Sequence, residues 1–259
     1  MAEAFFVPDG ARFVATELTR GPWDADSQHA GPPAALIGRA VEGLEGGEGM
    51  QVGRITFEIL RPVPIAALSV QARVARPGRR VELVEAELSD DDGPLISARA
   101  WRIGTREVEI PEGLPRDPAP PGPAHGEAKS FFPTGQEAGY HTAMEYRFVS
   151  GSFLDPGPAV VWMRMRHPLV EGEEPSPLAR VLAAADSGNG VSATLDWRRY
   201  LFINVDLTVH LHRMPAGEWV CLEAITLPEP NGVGIADTAL HDERGPIGRA
   251  TQTLLVGER

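Results

Sequence analysis

The sequence predicts an α+β fold in which one unit of helix and antiparallel sheet occurs twice. Arg61 and Gly93-Pro94 in the first half match Arg213 and Gly245-Pro246 in the second at a constant offset, since 213 − 61 = 152 and 245 − 93 = 152. Each half also carries one short apolar helix followed by several long strands with tight turns. Order and spacing that repeat in this way indicate an internal duplication.

The predicted helix of each half is apolar around most of its circumference. In the first half, "HAGPPAALIGRAVEGL" places two prolines in the first turn, where they are tolerated, and predicts a helix that ends near Gly43. In the second half, "SPLARVLAAADSGNG" supplies Ser176 as N-cap, Pro177 at the first helical position and Gly188 or Gly190 as C-cap. This pattern is typical of helices that a sheet covers.

Alternating apolar residues predict four long strands after each helix. Their connections include "DDDGP" and "DERGP", whose composition favours tight turns between antiparallel strands. Shorter strands are predicted upstream of the helices in "AFFVPD", "ARFVATEL", "YHTAMEYRFV" and "PAVVWMRMR". The eight long strands cover residues 51–62, 67–76, 80–90 and 94–104 in the first half and residues 202–213, 217–228, 232–242 and 246–256 in the second.

A segment dense in proline and glycine separates the two halves. The stretch "IPEGLPRDPAPPGPAHGEA" has almost no apolar periodicity and predicts an extended linker. We therefore divide the chain into an N-terminal unit of residues 1–106, a linker of residues 107–130 and a C-terminal unit of residues 131–259.

The composition argues against several classes of partner. The 259 residues carry a formal net charge of −12 without a run rich in lysine or arginine, so we expect neither a nucleic acid nor a membrane as partner. No apolar run approaches the roughly 18 residues of a membrane span, and no signal peptide is evident, so we expect a cytoplasmic location. The single cysteine, Cys221, excludes an intrachain disulfide and is expected to be a core thiol.

Five segments of the chain resemble the acyl-CoA thioesterases of the thioesterase II type. In order they are "QHAGPPAALIGRA", "ITFEILRPVP", "AAADSGNG", "INVDLTVHLHR" followed by "PAGEW", and "GPIGRATQTLLV". The resemblance implies a double hot-dog fold, in which a curved antiparallel sheet wraps a central helix in each of two repeats. It also implies hydrolysis of an acyl-CoA substrate to the free acid and coenzyme A, with no cofactor.

The same resemblance places three catalytic positions in the C-terminal unit. The carboxylate of the family falls on Asp186, its hydroxyl residue on Asn204 and its glutamine on Gln252. Asn204 departs from the family, in which threonine or serine is usual at this position.

The repeat gives an argument for this site that is independent of the family. Subtracting 152 from the three positions gives Ala34, Val52 and Ala100, all of them apolar. This step assumes that the offset of the strands also holds in the helices. Buried polar groups are destabilising unless they find partners, so a polar cluster in only one copy indicates a site.

The residue types suit the hydrolysis of a thioester. A carboxylate in an apolar setting gains basicity and can deprotonate a water that attacks the carbonyl carbon, while the amides of Gln252 and Asn204 orient that water. For substrate binding we expect the Gly31 N–H to donate to the carbonyl oxygen and His29 to hydrogen-bond the substrate. The chain has no G-x-S-x-G motif, so no acyl-enzyme is predicted.

Each catalytic candidate also has a structural interpretation. Asp186 suits a fraying helix end, and Gln252 suits a hydrogen-bonded core amide. Asn204 is out of phase with the apolar residues of its predicted strand, so it joins Asp186 only if a bulge or the strand's end redirects it.

Other polar residues are better explained by the fold. His210 and His212 share a strand face without a third ligand, so no metal site is predicted. Arg61 and Arg213 suit structural roles, although either can also meet a phosphate of coenzyme A.

Two further functions stay open at this point. A non-catalytic protein that binds acyl thioesters, or acts as a scaffold, would explain Asn204. Hydration or dehydration of an enoyl thioester would use His29 and Asp186 as a pair. A homo-oligomer is possible but not required, since a duplicated unit already buries the interface that single units bury by dimerising.

Overall fold

The computed structural model describes residues 3–114 and 118–259. Its helices are α1 (Gly31–Glu42), α2 (Tyr140–Ala143), α3 (Pro177–Ala185) and α4 (Gly188–Val191), and short 3-10 turns occur at Glu17–Thr19 and Pro123–His125. The strands are β1 (Phe6–Asp9), β2 (Arg12–Ala15), β3 (Met50–Ile59), β4 (Ala67–Arg76), β5 (Val81–Asp90), β6 (Gly93–Gly104), β7 (Met144–Ser150), β8 (Ala159–Met165), β9 (Tyr200–Asn204), β10 (Asp206–Leu211), β11 (Val220–Pro228), β12 (Val233–Asp242) and β13 (Gly245–Glu258).

The strands form one antiparallel sheet that is centred on β3 and β10. From this pair the order runs β6, β5, β4 and β2 on one side and β13, β12, β11 and β8 on the other, with β1 and β7 at the ends. Thr208 Oγ1 donates to Thr56 Oγ1 across the central pair at 3.1 Å, and the two residue numbers differ by 152. The two halves of the sheet are therefore arranged alike about this contact.

The two halves also share local irregularities at the predicted offset. The ladder shifts register between Leu88 and Ser89 in the first half and between Leu240 and His241 in the second, and 240 − 88 = 152. A bulge around Gly53 corresponds in the same way to the interruption between β9 and β10 at Val205, since 205 − 53 = 152. Bulges at matched positions bend each half in the same places.

Arg61 and Arg213 have equivalent structural roles in the two halves. Arg61 bonds Asp90 and the carbonyls of Gly93 and Pro94, while Arg213 bonds Asp242 and the carbonyls of Gly245 and Pro246. Both turn glycines have a positive φ, of 116° and 114°, which other residues rarely adopt. Each arginine thus holds a hairpin turn, and neither guanidinium lacks a carboxylate partner.

Helices α1 and α3 pack against each other beneath the sheet. Almost every residue of α3 is buried, as predicted from its apolar circumference. The contact is close because a Cβ on Gly31 would overlap the carbonyl oxygen of Ala183, and one on Gly38 would overlap the Leu182 side chain. Glycine at these two positions lets the start of α1 approach the end of α3.

The structure corrects the predicted end of the second helix. We expected Gly188 or Gly190 to act as C-cap, but α3 ends at Ala185 with Asp186 at the cap, and the two glycines belong to α4. The connection from the helix to the next strand is longer in the second half than in the first, and α4 occupies the additional length.

The helices do not keep the offset of the strands. The N-cap residues Ala30 and Ser176 are separated by 176 − 30 = 146 residues. Counted from the helix starts, Asp186 therefore corresponds to Ala40, because 186 − 146 = 40, and the equivalence with Ala34 was wrong. The residue of the first half that corresponds to Asp186 is still an alanine.

Two strand predictions also need correction. The predicted strand 202–213 is interrupted at Val205, so β9 and β10 are separate strands. The stretch "YHTAMEYRFV" begins with the helical turn α2 before β7 starts at Met144. The other long strands agree with the prediction to within three residues at each end.

Two further observations bear on the composition. Cys221 is fully buried on β11, and burial raises the pKa of its thiol, as expected for a core cysteine.

Within the described ranges, no helix combines the length and apolarity needed to cross a membrane.

Candidate active site

The site is built around Asp186 at the end of α3. Ser176 Oγ accepts the Ala179 N–H at 3.1 Å and Pro177 occupies the first turn, so the start of the helix is fixed by its own sequence. The apolar helix runs through the core and delivers the Asp186 carboxylate to a position where only 4% of the residue is exposed. The acid is thus a buried group and not a fraying helix end.

Three side chains contact the Asp186 carboxylate. Asn204 Nδ2 donates to Oδ1 at 2.8 Å, and Gln252 Nε2 donates to the same oxygen at 3.2 Å. His29 Nδ1 lies 3.0 Å from Oδ2. A buried polar group is stabilised when it is hydrogen-bonded, and these contacts fix the orientation of the carboxylate.

A bulge brings Asn204 into the site. Ile203 and Val205 on either side of it are 52% and 46% exposed, whereas Leu207 is buried, so the alternation of the strand changes phase between β9 and β10. The Val205 N–H still bonds the Thr253 carbonyl at 3.0 Å, which keeps the interrupted strand on β13. The condition stated for Asn204, a bulge that redirects it, is met.

Gln252 links the acid to the turn that follows it. Its Nε2 donates to the Asp186 carbonyl at 3.1 Å as well as to the carboxylate, and its Oε1 accepts the Asn189 N–H of α4 at 3.1 Å. Gly188 makes this approach possible, since a Cβ there would lie 3.1 Å from Gln252 Oε1 and 2.6 Å from Thr238 Oγ1. The amide is 2% exposed and uses both of its ends within the site.

His29 reaches the acid from the other half of the chain. Burial lowers the pKa of His29, although the nearby Asp186 acts in the opposite direction, so the neutral imidazole is favoured near pH 7. The Gly31 N–H also points at His29 Nδ1, at 3.1 Å. Nδ1 cannot accept from Gly31 and donate to Asp186 at the same time, so the two contacts belong to different tautomers of His29, and the Gly31 N–H has no acceptor there in the Nδ1–H form.

Tyr140 is a site residue that the sequence did not reveal. Its ring stacks on the His29 ring with centroids 3.7 Å apart, and its hydroxyl donates to the Ala183 carbonyl at 2.6 Å and lies 2.9 Å from Ser187 Oγ. Burial raises the pKa of this phenol, so it stays protonated. We assigned the segment to a strand, and a single tyrosine in it carried no signal of this role.

In the N-terminal half, the positions that match Asn204 and Gln252 are apolar. Val52 and Ala100, which match Asn204 and Gln252 at the offset of 152, are 2% and 1% exposed. Both are packed in the hydrophobic core. The two amides that contact Asp186 therefore have apolar counterparts, whereas the end of α1 is held by a different group, the buried ion pair of Arg102 and Glu82.

The comparisons with known proteins place this site in a family. A model of the acyl-CoA thioesterase N-terminal domain matches residues 19–103, and a model of the acyl-CoA thioesterase C-terminal domain matches residues 111–256. The chain belongs to the acyl-CoA thioesterase family. It is accordingly a thioester hydrolase, as the sequence resemblance implied. No curated protein matches its sequence.

Solved structures agree with the family on the fold. A protein assigned as a thioesterase II from Thermobifida fusca superposes with a TM-score of 0.76 at 18% identity, covering 98% of this chain and 96% of its own. A hot-dog-fold protein from Alicyclobacillus acidocaldarius gives 0.74 at 17% identity, with 98% and 95% covered. An acyl-CoA thioesterase II from Mycobacterium marinum gives 0.65 at 16% identity, with 89% and 88% covered. The chain has the hot-dog fold.

Metal-ligating residues do not gather in the described part of this thioesterase. No group of three or more histidine, cysteine, aspartate or glutamate residues there has the arrangement of a metal site. His212 Nε2 lies 3.0 Å from the Pro246 carbonyl, and His210 is exposed beside it on β10.

Proposed function

We propose that this thioesterase hydrolyses acyl-CoA thioesters with a water molecule that Asp186 deprotonates. The observation that supports this role is the buried carboxylate with Asn204, Gln252 and His29 gathered on its two oxygens. These donors fix its orientation, and a fixed acceptor is what a general base needs. Such clusters of buried titratable and polar groups are typical of functional sites.

The proposed reaction proceeds in two steps. The water oxygen attacks the thioester carbonyl carbon as its proton passes to the Asp186 carboxylate, which gives a tetrahedral intermediate. The C–S bond then breaks, the acid is released, and the coenzyme A sulfur recovers the proton from Asp186. In the absence of substrate both amides donate to the carboxylate, so binding of the water requires at least one of them to change partner.

Gly31 is the proposed donor to the oxyanion. Its N–H lies at the start of α1, where the helix dipole favours negative charge, and the Nδ1–H form of His29 leaves that N–H without an acceptor. The neighbouring prolines at positions 32 and 33 have no N–H of their own. In this arrangement Gly31 binds the carbonyl oxygen, and His29 contacts both the substrate and Asp186.

The same proposal includes a two-unit organisation of the fold. Residues 1–106 and 131–259 form two hot-dog units with α1 and α3 as their central helices, and residues 107–130 connect them. The matched register shifts and the paired Arg61 and Arg213 contacts support the duplication. The active site then lies where the end of α3 meets the loop before α1.

A thiol-release assay tests this function. The purified protein is incubated with short, medium, long and aromatic acyl-CoAs, and free coenzyme A is measured with a thiol reagent. We expect release with at least one substrate class, since the sequence does not specify the acyl group. No release from any member of the panel would refute the proposal.

One observation favours a second function. The contact of 3.0 Å between His29 and Asp186 provides the pair of histidine and acid that hydration or dehydration of an enoyl thioester uses. An enoyl-CoA in the same panel separates the two functions. Loss of the enoyl absorbance without release of thiol would identify a hydratase.

A further inference from the structure

Three exposed arginines lie together around the start of β9 and form what we call the arginine patch: Arg198, Arg199 and Arg259. The Arg259 N–H donates to the Arg199 carbonyl at 3.0 Å, and Arg259 Nε donates to the Tyr200 carbonyl at 3.2 Å, so both bonds join Arg259 to the start of β9. The chain has 36 acidic and 24 basic residues. A local group of cations is therefore contrary to the overall charge.

None of the three guanidinium groups makes a salt bridge with the described residues. Asp196 lies in the same loop, but its carboxylate accepts the backbone N–H of Arg198 at 3.0 Å. Glu258 pairs through its backbone with Tyr200 and is exposed. By contrast, Arg61 and Arg213 are occupied by Asp90 and Asp242. The patch thus keeps its positive charge available for a ligand.

Aromatic rings hold the arginines in place. The guanidinium carbon of Arg198 lies 5.3 Å from the Trp197 ring centre, that of Arg259 lies 5.5 Å from Trp23, and that of Arg199 lies 5.6 Å from Tyr200. Stacking on an aromatic face restricts a long flexible side chain without neutralising its charge. Less conformational entropy is then lost when an anion binds.

A continuous set of rings connects the arginine patch with the catalytic cluster. Trp197 lies 5.2 Å from Phe132, Phe132 lies 5.2 Å from Trp23, and Trp23 lies 5.9 Å from Phe202. Phe202 is buried on β9 two residues before Asn204, whose amide contacts Asp186. The rings therefore lead from the arginines to the reacting position.

The separation fits a substrate with a long arm between thioester and phosphates. Arg199 precedes Asn204 by five residues, which corresponds to about 17 Å along an extended strand. An extended phosphopantetheine arm spans a distance of this order. Guanidinium groups suit phosphate because their planar array of donors matches its oxygens.

We propose that Arg198, Arg199 and Arg259 bind the phosphates of the coenzyme A portion of the substrate. The inference rests on the proposed function and assigns the nucleotide end of the substrate to the start of β9 and the end of β13. The acyl group then lies on the far side of Asp186 from these arginines. A carrier protein that presents only a phosphopantetheine group lacks the nucleotide phosphates that the patch would bind.

Calorimetric titration with free coenzyme A tests the proposal independently of catalysis. In the double variant Arg198→Gln/Arg259→Gln, we expect the Kd for coenzyme A to rise about tenfold. Pantetheine, which lacks all the phosphates, is the reference ligand, and its Kd is expected to change by less than about twofold because the patch has nothing to bind on it. Arg198→Lys/Arg259→Lys keeps the charge and should fall between the wild type and the glutamine variant.

Arg79→Gln/Arg80→Gln is the matched control. These two arginines are also exposed and make no salt bridge with the described residues, but they lie in the turn between β4 and β5. The control removes the same charge from a different place. A rise in the Kd for coenzyme A that is equal in both double variants, or absent from both, would overturn the proposal, as would faster hydrolysis of acyl-carrier protein than of acyl-CoA.

The outcomes separate this inference from the proposed function. If the protein hydrolysed acyl-CoA but its Kd for coenzyme A did not depend on the arginines, the inference would be wrong and the proposed function would stand. Arginine-dependent binding of coenzyme A without hydrolysis of any thioester would remove the function and leave the binding surface.

Discussion

The two halves of the molecule build the same hairpin turn with the same side chains, yet different polar groups lie at the ends of α1 and α3: the buried ion pair of Arg102 and Glu82 bonds the Val41 and Leu44 carbonyls at the end of α1, and the Asp186 cluster lies at the end of α3. Arg61 with Asp90 and Arg213 with Asp242 repeat one arrangement at an offset of 152. Where the second half has Asn204 and Gln252, the first has Val52 and Ala100.

The hairpin ion pairs maintain the fold in both halves, whereas the Asp186 cluster is the proposed site of the chemistry. The ion pairs that hold the hairpin turns occur in both halves. The polar cluster occurs once, together with α4, which the longer connection adds after α3. The pair of Arg102 and Glu82 also occurs in one half alone, since the matching positions are Leu254 and Gly234, so presence in one half indicates a site only together with the family resemblance.

The largest effect is expected at Asp186. Asp186→Asn removes the proposed general base, so kcat/KM for an acyl-CoA substrate should fall by about 10²–10⁴-fold. Asp186→Ala gives the end of α3 the residue type of the first half and should lose at least as much. Thiol release measures both variants.

A control and a contrary outcome make the Asp186 test decisive. Asp9→Asn removes an exposed acid at the end of β1 and should change kcat/KM by less than about twofold. If Asp186→Asn retained activity within a few-fold while its thermal unfolding matched the wild type, another group would be the base.

The second prediction concerns the repeated ion pair. The Asp242 side chain is fully buried and accepts hydrogen bonds from Arg213, Ala216 and Arg244, whereas the Asp90 side chain is 12% exposed and accepts from Arg61 and Asp92. Asp242→Asn should therefore lower the free energy of unfolding by about 3 kcal/mol. Asp90→Asn should lower it by less. Urea denaturation at neutral pH measures the difference.

The pH dependence of this effect has a definite sign. Burial opposes ionisation of Asp242, but the bonds from Arg213, Ala216 and Arg244 outweigh it and lower the pKa below the ordinary value of 3.8. The stabilisation is thus complete above that value and is lost as the pH falls through the folded-state pKa. The difference in the free energy of unfolding between the wild type and Asp242→Asn should therefore become smaller at acidic pH. Equal losses for both aspartates at neutral pH would contradict the difference between the halves.

Much of this architecture can be predicted from the sequence because it rests on local patterns. Alternation and turn composition locate the long strands, and Ser176 with Pro177 locates the start of α3. The constant offset identifies the hairpin arginines. The family resemblance and the polar residues unique to the second half together select Asp186, Asn204 and Gln252.

The remainder depends on contacts between distant parts of the chain. Ile203, Val205 and Leu207 alternate as in an unbroken strand, and only pairing with β13 shows that the phase changes after Asn204. α3 ends at Ala185 and not at a glycine. Beyond this end, Gln252 Nε2 donates to the Asp186 carbonyl and Gln252 Oε1 accepts the Asn189 N–H of α4. The stack of Tyr140 on His29 joins segments that no local pattern relates.

The third prediction tests whether the first half contributes to the chemistry. His29→Gln removes the donor to Asp186 Oδ2 that comes from the loop before α1, so kcat/KM should fall about tenfold. His210→Gln, on the exposed face of β10, is the control and should have no measurable effect. If His29→Gln also had no measurable effect on kcat/KM, the first half would contribute nothing to the chemistry.

The pH profile gives a second measure of His29. Burial lowers the pKa of His29 below 6.5 against the opposing effect of Asp186, so the imidazole becomes charged only as the pH falls through that lowered value. A positive charge beside Asp186 reduces the basicity of the carboxylate, so kcat/KM of the wild type should decline there. In His29→Gln, the part of this decline in kcat/KM that comes from protonation of His29 should be absent.

The smallest effect is expected at Asn204, where the chain departs from its family. Asn204→Thr replaces an amide that donates to Asp186 Oδ1 at 2.8 Å with a hydroxyl that can donate to the same oxygen, so kcat/KM should stay within about threefold. Asn204→Val introduces the residue of the first half and has nearly the shape of threonine without its donor. It leaves the buried carboxylate with one hydrogen bond fewer, and its activity should fall below that of the threonine variant. Comparison of kcat/KM and thermal unfolding for the two variants isolates the hydrogen bond from the packing. Equal activity of Asn204→Thr and Asn204→Val would mean that position 204 contributes shape alone, as Val52 does in the other half.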